Sequence, residues 1–312
     1  MTADPSRDCQ APAGGSGHRF DAERRWDASM SLGFAADWNA SAAGRTRMIR
    51  ARHHGPLRVQ RPFYPETSHR HPGTMAALGE PCHVYLLHPP GGLVSGDRLG
   101  IEVGVERGAH ALLTTPAATK LYRADSHGVA WSQTNRLRVA DGGLLEWLPQ
   151  ETIAFDGSRG LQRTEVELEG SARCLGWELM ALGRPASHLP FASGRIEQRF
   201  RLVRDGRPLW MERQPLDPTH PRFVGRWGQG GASVQATLWA VGLADLHEAV
   251  EAVRGALPAS ARWAVTQRHD VLLLRYLGVS RNEAWDLCSA AWQVLRPRMA
   301  GRDACEPRIW RT

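Results

Sequence analysis

Apolar and polar residues alternate along most of the chain from Trp26 onward. Trp26, Ala28, Met30, Leu32 and Phe34 take every second position, which is the period of a half-buried strand. The same signal recurs at residues 46–51, 57–60, 84–87, 99–105, 109–114, 130–139 and 144–148. It continues at 164–168, 172–180, 196–203, 209–214 and 233–239. Glycine turns such as Arg107-Gly108, Asp141-Gly142-Gly143 and Asp205-Gly206 separate many of these runs. Many short strands with glycine turns predict a mainly β body, either a sandwich or a coiled β-solenoid. The lack of a strict repeat speaks against a regular solenoid.

The period changes after Gly242. Asp245 can cap a helix with Leu246, Val250, Val253 and Leu257 on one face, and Pro258 ends it. Strands at 262–266 and 271–276 follow, turning at His269-Asp270. Ser280 and Glu283 then form a capping box. The helix they open carries Trp285, Cys288, Ala291, Trp292 and Leu295 on one stripe and is expected to stop at Pro297. The chain therefore divides into a disordered tail at 1–22, a β-rich body at 23–241, and a helix–strand–strand–helix unit at 242–312 packed on that body.

Length and composition fit this picture. A chain of 312 residues with 42% hydrophobic residues can bury a core. No apolar run reaches the ~18 residues of a membrane span, and the N-terminus lacks a secretory signal pattern, so a cytoplasmic location is expected. Five cysteines at wide spacings (Cys9, Cys82, Cys174, Cys288, Cys305) predict reduced thiols rather than a disulfide framework or zinc knuckle. The net charge of +7 is carried by scattered arginines, with Lys120 the single lysine, which argues against a nucleic-acid-binding module.

Common catalytic signatures are missing. There is no phosphate-binding loop; residues 225–231 lack dinucleotide spacing, and residues 92–96 miss the nucleophile elbow by one position. His69 and His71 could chelate a borderline metal, although Pro72 makes that segment a loop. Cys82 and His83 would face opposite sides of a strand. Glu146, Glu151, Asp156 and Glu178 interrupt strongly apolar stretches. A carboxylate there must pair with an arginine or line a wet channel. A β-solenoid carbohydrate-active enzyme using Glu151 and Asp156 is the alternative that these carboxylates allow. The segment His88-Pro89-Pro90-Gly91-Gly92-Leu93-Val94-Ser95-Gly96-Asp97 combines fixed and permissive backbone, which suggests a chain lying close to another strand, a partner or a ligand.

Several stretches together resemble the urease accessory protein UreD (UreH) family. They are residues 55–66, ending Phe63-Tyr64-Pro65-Glu66; residues 82–97; residues 112–123, with Thr114-Thr115-Pro116-Ala117-Ala118-Thr119-Lys120 at their centre; residues 145–157; Leu182-Gly183-Arg184-Pro185; and the tail with Leu295-Arg296-Pro297 and Pro307-Arg308-Ile309-Trp310. The resemblance implies an elongated β-helix-like stack of sheets with a small C-terminal α/β part. It implies a scaffold rather than an enzyme. Such a scaffold binds the urease apoprotein, recruits UreF and through it the GTPase UreG, is dimeric in the complex, and engages neither membrane nor nucleic acid. No cofactor is held permanently, and nickel passes in transit. On this basis Glu146, Glu151, Asp156 and Glu178 are expected along the metal route, with His83, His88 and His188 as further donors. His188 stands where relatives often carry a carboxylate. Trp285, Trp292 and Trp310 are expected at the UreF-binding surface. Residues 67–80, with His69 and His71, look like an insertion.

Overall fold

The computed structural model describes residues 25–39, 44–66 and 78–311. The 1–22 tail, His69 and His71 lie outside these residues. The chain begins with β1 (Trp26–Asp37), β2 (Arg45–His54) and β3 (Arg58–Val59). It continues through β4 (Cys82–Leu87), β5 (Gly92–Leu93), β6 (Asp97–Val105), β7 (His110–Thr114), β8 (Thr119–Leu121) and β9 (Trp131–Val139). Next come β10 (Leu144–Leu148), β11 (Thr152–Ala154), β12 (Arg159–Leu168), β13 (Arg173–Arg184), β14 (Leu189–Pro190), β15 (Arg195–Arg204) and β16 (Arg207–Leu216). The remainder is α1 (Pro221–Val224), β17 (Val234–Val241), α2 (Leu246–Ala256), β18 (Trp263–Arg268), β19 (Val271–Gly278) and α3 (Arg281–Ala300).

Two sheets face each other. The first has the order β16-β15-β12-β9-β6-β1-β2. Its inner five strands are parallel, with antiparallel β2 and β16 at the edges. In the second, β4, β7, β10 and β13 are parallel; β3 flanks one side, and β17, β19 and β18 extend the other antiparallel. A narrow third ribbon stacks β5, β8, β11 and the end of β13. The chain coils from the second sheet through the ribbon to the first, then back. This is the mainly β body that the strand pattern predicted, and of the two forms that pattern left open it takes the coiled one, as the resemblance implied. It coils without a sequence repeat because each turn needs only the right inward-facing parity, not the same residues.

The 242–312 unit contributes to the same architecture. Its strands β19 and β18 extend the second sheet beyond β17, and α2 and α3 pack on that sheet's outer face. Two cores result. One lies between the sheets, around Phe34, Leu113, Trp131, Trp147 and Trp239. The other lies beneath the helices, around Leu112, Leu148, Trp177, Leu274 and Leu295. One expectation fails here: α3 runs through Pro297 and ends at Ala300, with Gly301 as a left-handed cap at φ 64°. Burial explains the extra turn. Met299 and Ala300 continue the apolar stripe, and the Arg298 side chain donates to the Val294 carbonyl that borders the proline.

The Pro-Pro-Gly-Gly segment is the crossing from β4 to β6. Gly91 and Gly96 take positive φ of 74° and 86°, closed to most residues. Gly92 has no room for a side chain, since a Cβ there would lie 2.3 Å from the Lys120 carbonyl oxygen. Gly92→Ala is therefore expected to destabilise the fold by ~1–3 kcal/mol through overpacking. Gly100→Ala, with nothing within 4 Å, should leave the denaturation midpoint nearly unchanged. Equal midpoints for the two variants in urea would contradict this account of the crossing.

Candidate functional site

Parallel pairing places His83 of β4, Leu112 of β7, Glu146 of β10 and Leu175 of β13 side by side on one face of the second sheet. Cys82, one residue earlier, joins the core on the opposite face. The row lies beneath α3, where Trp292 and Arg296 sit one turn apart. Arg296 is 1% exposed, and its guanidinium bridges Glu146 at 3.0 Å and Glu66 at 2.5 Å. It also donates to the Asp303 carbonyl. His83 Nε2 lies 2.7 Å from Glu66 and His110 Nε2 lies 2.6 Å from Glu146. The Trp292 indole N–H donates to the second Glu146 oxygen. Both histidine Nδ1 atoms are buried without a partner, which fits Nε2–H tautomers donating to the carboxylates.

Two carboxylates thus share one guanidinium inside the protein. Burial alone would raise the Glu146 carboxyl. The charge of Arg296 and the donors on His110 and Trp292 overcome it and hold Glu146 well below the usual carboxylate range. Glu66 is lowered against burial in the same way, by His83 and Arg296. Burial pushes the His110 imidazole down despite Glu146, so it is neutral at pH 7.

A second polar feature runs between the sheets. Inward positions of the first sheet carry Gln133, Asn135, Gln162, Thr164, Gln198 and Gln214 where the alternation calls for apolar residues. Gln133 donates to Asn135, Asn135 to Thr164, and the Thr164 hydroxyl to Glu178 on β13. Gln198 donates to Gln162, and Gln235 of β17 donates to Gln198 and Gln214. Glu178 lines a cavity of about 30 Å³ with Gln198, Gln214, Gln235 and Glu212, enough for a water molecule. Burial raises its carboxyl to about 7, aided by the charge of Glu212 and opposed by Thr164. Glu212, Gln214 and Gln235 also line a wide groove of about 740 Å³ at the open end of the two sheets.

The other expected residues are dispersed. Glu151 is held by Arg281 at 2.6 Å. Asp156 accepts from the Ser193 amide and hydroxyl, the Ala192 amide and Arg123. Both carboxylates of the carbohydrate-enzyme alternative are thus engaged in structural contacts. His88 sits in the crossing loop with neither ring nitrogen bonded, and burial lowers its pKa. His188 is exposed, in a left-handed conformation at φ 57°. Among the described residues no three His, Cys, Asp or Glu side chains gather as a ready metal site.

Trp292 is fully buried. It offers no surface to a partner, a correction to the interface expected at this position. With Trp177, Trp285 and Trp310 it forms an aromatic cluster with centroid spacings of 5.0–5.8 Å. The stripe spacing that suggested an interface is equally the spacing of a helix face turned to the core. His110 and Arg296 were not singled out as site residues. Arg296 sits four residues after Trp292 on the buried stripe, and a lone charge there signals a buried partner. The glutamines carry a similar signal, since each falls on the inward parity of its strand.

Residues 27–311 match the family model described as UreD urease accessory protein. "Urease accessory protein UreD" of Chromohalobacter salexigens is 68% identical over 303 residues, covering 97% of this chain and 94% of that protein. The protein of the same name from Marinobacter nauticus is 65% identical over 297 residues, covering 95% and 96%. That of Hahella chejuensis is 42% identical over 301 residues, covering 93% and 91%.

Arg296→Met is expected to cost ~3–5 kcal/mol, because it leaves two buried carboxylates without their cation. A guanidinium titration reading a loss under 1 kcal/mol would refute the bridging role. Acid should weaken the fold in two steps. The unfolded chain binds protons at His110 once pH falls below about 6.5, while the folded chain resists. Glu146, depressed in the fold, loses its contribution at still lower pH. His110→Gln should therefore flatten the fall in melting temperature between about pH 7 and pH 5.

Proposed function

We propose, because this chain belongs to the UreD urease accessory protein family, that it is a non-catalytic scaffold which helps nickel reach the urease active site. In this reading it binds the urease apoprotein and UreF, meets the GTPase UreG through UreF, and works as a dimer in the complex. Nickel is cargo in transit and not a resident cofactor. No helix among the described residues is long and apolar enough to cross a membrane, and the reading assigns the protein to the cytoplasm.

The observation that carries this reading is the polar seam between two apolar layers. A buried row of amides and hydroxyls is costly to build when it supports only packing. It offers oxygen ligands that a divalent cation can exchange without being trapped. Neutral amide and hydroxyl oxygens bind such an ion weakly, so it can move on. Two carboxylates bond into the seam. Glu212 accepts from Gln214 and is held by Arg275, whereas Glu178 accepts only from Thr164, and its raised pKa makes it an adjustable charge rather than a permanent sink. Glu146, placed in the same route by the sequence, is held by Arg296 instead. In this reading it secures the helix that closes the outer face of the second sheet.

Co-expression of urease with UreF and UreG, with and without this chain, tests the role through nickel counted per urease. Loading that is the same in its absence would defeat the reading. The seam makes a finer prediction. With the wild-type chain, nickel loading should rise with pH through about 7 as Glu178 ionises. Glu178→Gln should remove that rise while leaving complex formation intact by size-exclusion chromatography.

A further inference from the structure

The wide groove lies where β16, the edge of the first sheet, diverges from β18 and β19 of the second. Its rim carries Trp227, 92% exposed, the most open large hydrophobic residue among those described. This tryptophan is not on a loose end. Gly228 leaves no space for a Cβ, which would sit 1.8 Å from the Arg222 carbonyl oxygen. The Gln229 amide bonds the Phe223 carbonyl, and its side chain, 6% exposed by residue, donates to Gln235 within the seam. The Arg226 guanidinium lies 5.0 Å from the Trp227 ring centroid. An aromatic side chain held in water by a braced loop is preorganised for contact.

The groove also has a charge imbalance. Its carboxylates are engaged: Glu212 by Arg275 and Gln214, and Asp217 by Thr219. Arg195 and Arg222 line the same groove and make no guanidinium hydrogen bond or salt bridge among the described residues, although Arg195 lies close enough to Asp217 to influence it. Strand addition at the β16 edge is disfavoured, because Pro208 and Pro215 lack backbone donors. Side-chain recognition remains. We propose that this groove receives an acidic segment of a partner protein, with Trp227 as the aromatic anchor and Arg195 and Arg222 pairing with its carboxylates. Tryptophan and arginine are the residues most often found to dominate interface energies.

The proposal rests on the urease-maturation reading for its probes, purified urease apoprotein and purified UreF. Titration against the full-length chain should show binding by at least one probe that weakens with salt. Trp227→Ala should weaken it roughly 30-fold, and Arg195→Glu/Arg222→Glu should weaken it and reduce its salt dependence. Arg50→Glu/Arg52→Glu, on the distant edge strand β2, should bind as wild type. Melting curves check that each variant is folded. If the wild type binds and the groove variants bind equally, the groove assignment is overturned and the maturation reading stands. If neither probe binds the wild type, both fall. Tighter probe binding after deletion of residues 1–24 would make the chain's own tail the occupant, and concentration-dependent self-association lost in Trp227→Ala would make it a second copy; either result overturns the proposal.

Discussion

The structure depends on one guanidinium. Arg296 of α3 reaches Glu146 in the middle of the second sheet and Glu66 in the segment leading to β4, with all three side chains nearly closed to water. Neither carboxylate could remain charged at that depth alone. The bridge ties three regions that are far apart in sequence, and the histidines and Trp292 fill the remaining acceptor sites. An apolar contact could supply comparable affinity. The buried apolar stripe of α3 turns that face to the sheet, and the ion pair adds a directional contact at one point along it.

The fold was legible because alternation was strong. The strand runs, the two helices, the caps at Asp245 and Ser280 and the crossing loop can all be read from local pattern. The coiling was not, because pairing partners such as Arg98 and Ser132, or Ser132 and Leu161, are joined by register rather than by repeated residues. Pro297 misled for a related reason. A local rule predicted a stop, and burial of the following turn outweighed it.

The site was legible in part. Glu146 and Glu178 stood out as carboxylates in apolar runs, and the structure separates them. Glu146 meets a cation supplied from 150 residues later in the chain, a partner no local pattern could name. Glu178 meets only a hydroxyl among its direct partners and keeps a raised pKa. The tryptophans of α3 show the limit of stripe arguments, since a face that packs on a partner and one that packs on the chain's own sheet look alike. The exposed aromatic residue lies in a glycine-rich loop that carried no periodic signal at all.

The position of Arg296 also sets an order of events during synthesis. The ribosome delivers Glu66 and Glu146 long before Arg296, and the parallel ladders pair segments far apart in the chain, a slow topology to form. Until α3 emerges, the part of the outer face formed by β13 and β17 lacks its cover. The body cannot settle into its final state one coil at a time from the N-terminus. It must wait for nearly the last turn of helix, and through that interval the nascent chain shows an apolar sheet surface of the kind that general chaperones hold.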